Sequence, residues 1–294
     1  MNKMRRLLIP IFLAALVAAV MPLTAFAATD PGLGTAGNYA VLAAATITNT
    51  GPTWITGQLA LSPGTSVTGF PGAWGATVGH QDIANGAALN ARNAATNAYN
   101  FAAGEASNSN LTGQDLGGMT LVPGVYTYSS SAQLTGTVTL NGGGVFIFQI
   151  GSTLTTASSS RVLLINGAQP CDIFWQVGSS ATIGTATSFV GTILANTSIT
   201  MTTGATLNGR ALAGLIAPSG ALTLDTNRII QPSGCGYPVP AYVAPPGGNI
   251  LPATLGVPSE LLAEIPWLLV IGIGTAGAAM VLVVNSRRRR RSRV

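Results

Sequence analysis

The sequence predicts a mainly β protein whose short strands stack as the coils of a solenoid, with one long α-helix packed alongside and a transmembrane helix near the C-terminus. Three observations favour the solenoid over a sandwich or a barrel. Threonines recur as Thr-x-Thr at Thr46/Thr48, Thr135/Thr137/Thr139, Thr153/Thr155, Thr185/Thr187 and Thr200/Thr202, the pattern that ladders on stacked coils would leave. The turns are corners of small residues, such as Asn141-Gly142-Gly143-Gly144, Ser158-Ser159-Ser160 and Asn166-Gly167, not the two-residue signals of hairpins. Charge is scarce, 7% of residues against a usual quarter or so, which suits coils that bond to one another through their backbones. No strict repeat period emerges.

The elements follow in chain order. Lys3, Arg5 and Arg6 begin the chain, an apolar run occupies 7–20, and Ala25-Phe26-Ala27 follows. A basic start, a short apolar run and a small-residue triplet make a secretory signal peptide, so 1–27 is expected to be cleaved after Ala27. The next part, 28–230, has the size of one domain. Within it 82–104 reads as the helix, with Asp82 as N-cap and Gly104 as the stop. Ala87, Ala91, Ala94, Ala98 and Ala102 recur at helical spacing, while Asn90, Asn93, Asn97 and Asn100 take another face. Alanines on one face let a helix lie close to a sheet. Strands are expected at 124–128, 134–140, 145–150, 153–156, 161–165, 172–177, 181–184, 189–194, 198–202, 205–207 and 221–224, punctuated by Gly, Ser and Asn. Strands this short, with no helices between them, exclude a strand-helix-strand parallel sheet.

Cys171 and Cys235 are the only cysteines, in a chain read as exported, and are expected to form a disulfide. Segment 231–264 is rich in Pro and Gly and reads as an extended stalk. Residues 265–284 carry no charge and at about 1.5 Å per residue suffice to cross a bilayer core. Trp267 marks the outer edge of that span, and the basic tail 285–294, with Arg287 to Arg291 and Arg293, marks the cytoplasmic side. The expected location is therefore the cell surface, with the N-terminal domain outside and the membrane engaged through the C-terminal helix. Leu251-Pro252-Ala253-Thr254-Leu255-Gly256 resembles a sortase sorting signal, with Leu255 standing where that signal has Gly. Membrane retention is favoured over covalent wall attachment, and a sortase is kept as a candidate partner.

The formal charge of +5 divides unevenly along the chain. Its two ends hold nine cations and no acid, while 28–264 carries four arginines against eight acids, a net −4 with no lysine. Four scattered arginines cannot neutralise the several phosphates that a nucleic-acid surface must engage, so nucleic acid is not expected as a partner. Catalysis is not expected either, because catalysis needs converging titratable groups. His80 is the single histidine and reads as a loop or helix-capping residue beside Asp82. No His, Cys and carboxylate spacing matches a metal-ligand set, and no cofactor is expected.

Several ordered stretches carry a family likeness. Leu116-Gly117-Gly118-Met119-Thr120-Leu121-Val122-Pro123-Gly124-Val125-Tyr126 is followed by the run from Val145 through Phe146-Ile147-Phe148-Gln149-Ile150 to Thr155. Phe174-Trp175-Gln176-Val177-Gly178, Phe189-Val190-Gly191-Thr192-Ile193-Leu194-Ala195 and Thr206-Leu207-Asn208-Gly209-Arg210-Ala211-Leu212-Ala213 complete the set. Across 33–230 the chain resembles the DUF3494 family of ice-binding proteins. The resemblance implies a discontinuous β-solenoid of triangular cross-section with a helix at its side, and an ice crystal surface as partner.

Between Ala28 and Ile230 there are 31 threonines. Coils repeat at about 4.7–4.9 Å, close to a repeat of the ice lattice, and Thr offers a methyl and a hydroxyl on a stiff stem. The resemblance associates Thr-Ala/Gly-x-Thr/Asn segments with ice contact. Thr203-Gly204-Ala205-Thr206 fits fully, and Thr156-Ala157-Ser158-Ser159 and Thr185-Ala186-Thr187-Ser188 fit with Ser at the last place. Thr156, Ser158, Thr185, Thr187, Thr203 and Thr206 are thus the ice-binding candidates. The expected function is a cell-surface ice-binding protein that adsorbs through a flat Thr/Ser-rich face. The alternative is a surface adhesin or structural protein of the same fold with little ice affinity. An unbroken Thr ladder would favour the first, and Met201 and Arg210 near the candidate stretches weigh against one.

Overall fold

The computed structural model describes residues 27–70 and 77–235. The expected signal peptide, nearly all of the stalk, the transmembrane helix and the basic tail lie outside the described residues. Among the described residues, no helix is long and apolar enough to cross a membrane.

The chain is mainly parallel β, with one long helix. A 3-10 turn, Gly34–Asn38, leads into β1 (Tyr39–Ala43), β2 (Thr46–Thr50) and β3 (Trp54–Thr56), then into β4 (Gln58–Leu61), β5 (Ser66–Thr68), β6 (Thr77–Val78) and β7 (Gln81–Ile83). Helix α1 (Gly86–Gly104) follows. After it come β8 (Ser109–Asn110), β9 (Thr120–Leu121), β10 (Gly124–Tyr128), β11 (Ala132–Leu134), β12 (Thr137–Asn141), β13 (Phe146–Ile150), β14 (Leu154–Thr156) and β15 (Arg161–Ile165). The last are β16 (Ile173–Val177), β17 (Ala181–Ile183), β18 (Ser188–Ala195), β19 (Ile199–Met201), β20 (Thr206–Leu212), β21 (Leu222–Asp225) and β22 (Arg228–Ile230).

Three successive strands make one coil, each on a different face. The first face runs β8, β10, β13, β16, the second halves of β18 and β20, then β1, β4 and β7. The second is the seven-stranded sheet β11-β14-β17-β19-β21-β2-β5. The third runs β9, β12, β15, the first halves of β18 and β20, then β22, β3 and β6. Gly191 and Gly209 turn β18 and β20 from the third face to the first. They are register partners, and a Cβ on Gly209 would stand 1.9 Å from the Gly191 carbonyl oxygen. A side chain has no room at that corner.

The stack is discontinuous in sequence. The N-terminal coil β1 to β3 is flanked on one side by the coil that follows it and on the other by the last coil of the chain, through Val41↔Ala211, Thr48↔Thr223 and Arg228↔Trp54. Helix α1 carries the chain from β7 at one end to β8 at the other. Its 19 residues span about 28 Å, or six of the eight inter-strand steps of about 4.8 Å that separate β7 from β8.

Helix α1 covers the first face. Its buried residues are Ala88, Ala91, Ala95, Ala98, Tyr99 and Ala102, seated against Leu42, Ala60, Val125, Ile147, Phe174, Leu194 and Leu212. The alanine stripe was expected, but one turn edge is shifted, since Ala87 is exposed and Ala88 buried. The N-terminus also differs. The cap is Asn85, whose side chain accepts from the Ala88 N–H at 2.9 Å, while Asp82 is a buried residue of β7 that orients the cap by accepting from Asn85 Nδ2 at 2.7 Å. Tyr39 Oη donates to the other Asp82 oxygen at 2.7 Å. His80 is exposed, with Nε2 3.3 Å from Asp82 Oδ1. At the C-terminal end, buried Gln149 of β13 donates to the carbonyls of Ala102 and Glu105 at 2.8 and 2.7 Å, satisfying acceptors that a helix end leaves orphaned.

Behind the first face the inward residues stack by register. Tyr126, Phe148 and Trp175 are successive partners, with ring centroids 5.5 and 3.9 Å apart, and Phe189 closes on Trp175 at 4.9 Å. Cys171 and Cys235 are disulfide-bonded, with Cα atoms 5.3 Å apart, so the chain leaving the last coil is tied back to the segment before β16.

Candidate functional site

The seven-stranded face is built of short strands, parallel and in register. One inward column is apolar throughout: Ala132, Leu154, Ala181, Ile199, Leu222 and Ile47 are all buried. Alternation then sends the intervening residue outward. Gln133, Thr155, Thr182, Thr200, Thr223, Thr48 and Thr68 are consecutive register partners across the whole sheet. The result is an unbroken ladder of six threonines and one glutamine, about 29 Å long at 4.8 Å per step. Thr48, Thr68, Thr223 and Gln133 are exposed and Thr155, Thr182 and Thr200 half-buried. Among the described residues, no protein group hydrogen-bonds the six ladder hydroxyls, so they are left to water.

A second column borders the ladder and is tied into the protein. Thr153 Oγ1 donates to Ser131 Oγ at 2.8 Å, and the Oγ atoms of Ser180 and Ser198 accept from the N–H groups of Ser198 and Ala221 at 3.2 and 3.1 Å. Thr46 and Ser66 continue it in register. These bonds fix the small side chains of that column. The seven strands carry a single charged residue, Asp225. Its carboxylate accepts from Thr203 Oγ1 and, at 2.9 Å, from Thr226 Oγ1 at the sheet's border.

The sequence-derived candidates lie at the neighbouring corner. Ser158, Thr185 and Thr203 are exposed there, with Thr185 Oγ1 3.3 Å from Thr202 Oγ1. Thr206 is exposed but belongs to the third face, beside Ser188 and Arg228. Thr156 and Thr187 must be corrected: they are 3% and 0% exposed. Their hydroxyls lie 3.1 Å apart, Thr156 Oγ1 accepts the Gly184 N–H at 2.8 Å and Thr187 Oγ1 donates to the Ala157 carbonyl at 3.0 Å. They staple the corner from inside and present nothing to the surface. The two residues that weighed against a ladder are also elsewhere. Met201 points inward and is fully buried, and Arg210 is buried on the first face with Nε donating to the Gly37 carbonyl at 3.0 Å.

Thr48, Thr155 and Thr200 were visible in the Thr-x-Thr pattern, whereas Thr68, Thr182 and Thr223 were not. Their signal is the triplet in which Thr follows an apolar residue on a three- or four-residue strand: Leu-Thr-Thr, Ala-Thr-Ile, Ile-Thr-Met, Leu-Thr-Leu and Val-Thr-Gly. Among the described residues, no group of three or more His, Cys, Asp or Glu could hold a metal ion.

The chain is similar to known proteins in sequence and fold. The family described as Ice-binding-like matches residues 41–230. An ice-binding protein of Nostoc sp. (strain HG1) is 46% identical over 269 residues, covering 85% of this chain and 94% of that protein. One from Colwellia sp is 34% identical over 253 residues, covering 78% and 94%. Among solved structures, an ice-binding protein from an Antarctic biological consortium aligns with a TM-score of 0.67 at 45% identity, over 72% of this chain and 95% of that one. The ice-binding protein of Antarctomyces psychrotrophicus aligns with a TM-score of 0.66 at 37% identity, over 69% and 99%.

Proposed function

The chain belongs to the ice-binding-like family, and on that premise we propose that it binds ice through the seven-stranded face. The observation that carries this reading is the unbroken ladder from Gln133 to Thr68. Stiff β-branched stems hold methyl and hydroxyl groups at a regular spacing on a plane that has no exposed bulk. Hydroxyls unbonded to protein can enter an ordered water layer, while the methyls between them fill its voids. Each contact is weak, and adsorption comes from their number along the ladder. No bond is made or broken in this reading. The corner residues Ser158, Thr185 and Thr203 extend the same surface at its edge.

The sequence supports display at the cell surface: a signal peptide at 1–27, a Pro/Gly stalk at 231–264, a membrane span at 265–284 and a cytoplasmic tail at 285–294. A stalked module of this kind would attach the cell to ice. The test is thermal hysteresis and ice-recrystallisation inhibition by the purified full chain. Thr200→Tyr, placed mid-ladder, is expected to remove most of the activity, and Thr203→Tyr at the corner to reduce it less. An inactive parent chain would refute the reading, and activity indifferent to Thr200→Tyr would assign contact to another face.

A further inference from the structure

The third face differs in character from the ladder face. One of its outward columns reads Thr137, Arg161, Ser188, Thr206, Arg228 and Trp54 in register. Trp54 is 55% exposed, and Arg161 and Arg228 are exposed as well. Among the described residues, neither guanidinium has a hydrogen bond or ion pair to the protein, and nor does the Trp54 indole N–H. The next column adds exposed Thr56 and Asn208 and Leu163, 40% exposed. The strands of this face carry two arginines and no acid, on a body whose sequence is net acidic. A protruding indole and two free charges would spoil an ice plane. An aromatic platform ringed by hydroxyls, with cations along one line, suits a different ligand.

We propose that the third face binds an acidic polysaccharide, a polymer of uronic acid residues. The exposed indole stacks on the C–H face of a pyranose ring, an apolar body with polar edges that Trp matches. Arg228, one strand step from Trp54, meets the carboxylate of the same or the adjoining sugar in a bidentate pair. Arg161 lies three steps further, about 14 Å, and takes a second carboxylate along the polymer. Thr206, Ser188, Asn208 and Thr56 supply donors and acceptors for sugar hydroxyls between them. Duplex nucleic acid is a poorer fit, since two arginines release few counterions. Because this face and the ladder face point in different directions, one molecule can hold both ligands.

Affinity electrophoresis of the purified full chain tests this, with polyuronate (alginate), neutral dextran or duplex DNA in the gel. Retardation is expected with alginate alone. Trp54→Ala should weaken it at least fivefold, Arg161→Gln and Arg228→Gln each by a similar factor, and Thr200→Tyr should leave it unchanged. Unaltered thermal unfolding of Trp54→Ala would show that the variant is folded. The proposal is overturned if alginate does not retard the parent chain, or if dextran retards it equally. It is overturned too if DNA retards it equally, or if Trp54→Ala leaves the alginate retardation unchanged, since either would mean unselective charge binding, that of the basic tail 285–294 included.

Discussion

Single residues set the corners and the charge balance of the solenoid. Where coils stack without a gap, a missing side chain is a structural requirement, and Gly209 is the sharpest case, because a Cβ there meets the Gly191 carbonyl oxygen at 1.9 Å. Gly209→Ala is therefore expected to cost at least about 3 kcal/mol, in the range of severe core changes. Gly204 has a φ of +72° but open space around it, so Gly204→Ala should cost only about 1 kcal/mol from backbone strain. Urea denaturation of both variants checks the order, and equal losses would contradict the contact argument. The carboxylates make a pH prediction. Burial by itself would raise Asp82, but the hydrogen bonds from Asn85 and Tyr39 and the charge of His80 outweigh it and hold the carboxyl below its usual value. Asp115 behaves likewise, burial being outweighed by bonds from Thr135 and Gly117. A lowered native pKa contributes stability that is present above the unfolded carboxylate range, near pH 4, and is lost as pH falls through the native value. Asp172, raised by burial and by Asp30, works in the opposite direction. Stability is thus expected to fall below about pH 4, and Asp82→Asn to flatten that fall. Acid titration followed by circular dichroism would show it, and an identical acid midpoint for the variant would count against the Tyr39–Asp82–Asn85 cluster.

At the scale of elements, helix α1 and the Thr ladder were legible to different degrees. The helix announces itself because 3.6-residue periodicity needs no partner to be read: of the five alanines it places on one face, Ala91, Ala98 and Ala102 are buried, Ala94 is half-buried and Ala87 is exposed. Its start was misplaced by an acid that looks like a cap. Asp82 sits inside β7, and only the register of β7 against β4 moves the cap to Asn85. Burial of the alanine face predicts that Ala95→Leu forces the helix off the first face, at about 1–3 kcal/mol for overpacking. Ala87→Leu, on the exposed side, should stay within about 0.5 kcal/mol. Chemical denaturation curves separate the two, and a reversed order would mean that the helix is rotated. The ladder was only half legible, because a three-residue strand has too little alternation to show which residue faces out. Thr156 and Thr187 were selected by a local motif, yet their side chains turn inward where the coil bends. Register partners, which lie 18 to 27 residues apart in sequence along the second face and 175 apart where Thr48 meets Thr223, decide the face.

The whole molecule holds a feature that no local signal carries: the first coil of the chain is an interior coil of the stack. Val41 pairs with Ala211 and Trp54 with Arg228, partners separated by roughly the full length of the domain. An ordinary solenoid is held by nearest-neighbour interfaces and can fray from either end or unfold in segments. Here the coils β1 to β6 cannot dock until β20 to β22 have formed, and α1 binds across strands from both parts, β1 and β4 on one side and β13, β16 and β18 on the other. Loss of any one interface exposes apolar ladders in both parts at once. The described body is therefore expected to unfold in a single transition, with calorimetric and van't Hoff enthalpies equal. The Cys171–Cys235 disulfide closes a loop with a sequence separation of 64, and on the chain-entropy estimate its reduction should cost about 4 kcal/mol. Because that bond acts on the unfolded ensemble and not on a separate unit, reduction should lower the transition temperature without splitting the transition. Calorimetry with and without reductant distinguishes the cases. Two resolved transitions in the reduced protein would mean that the N-terminal coils fold independently and that the insertion of the last coil beside the first adds no cooperativity.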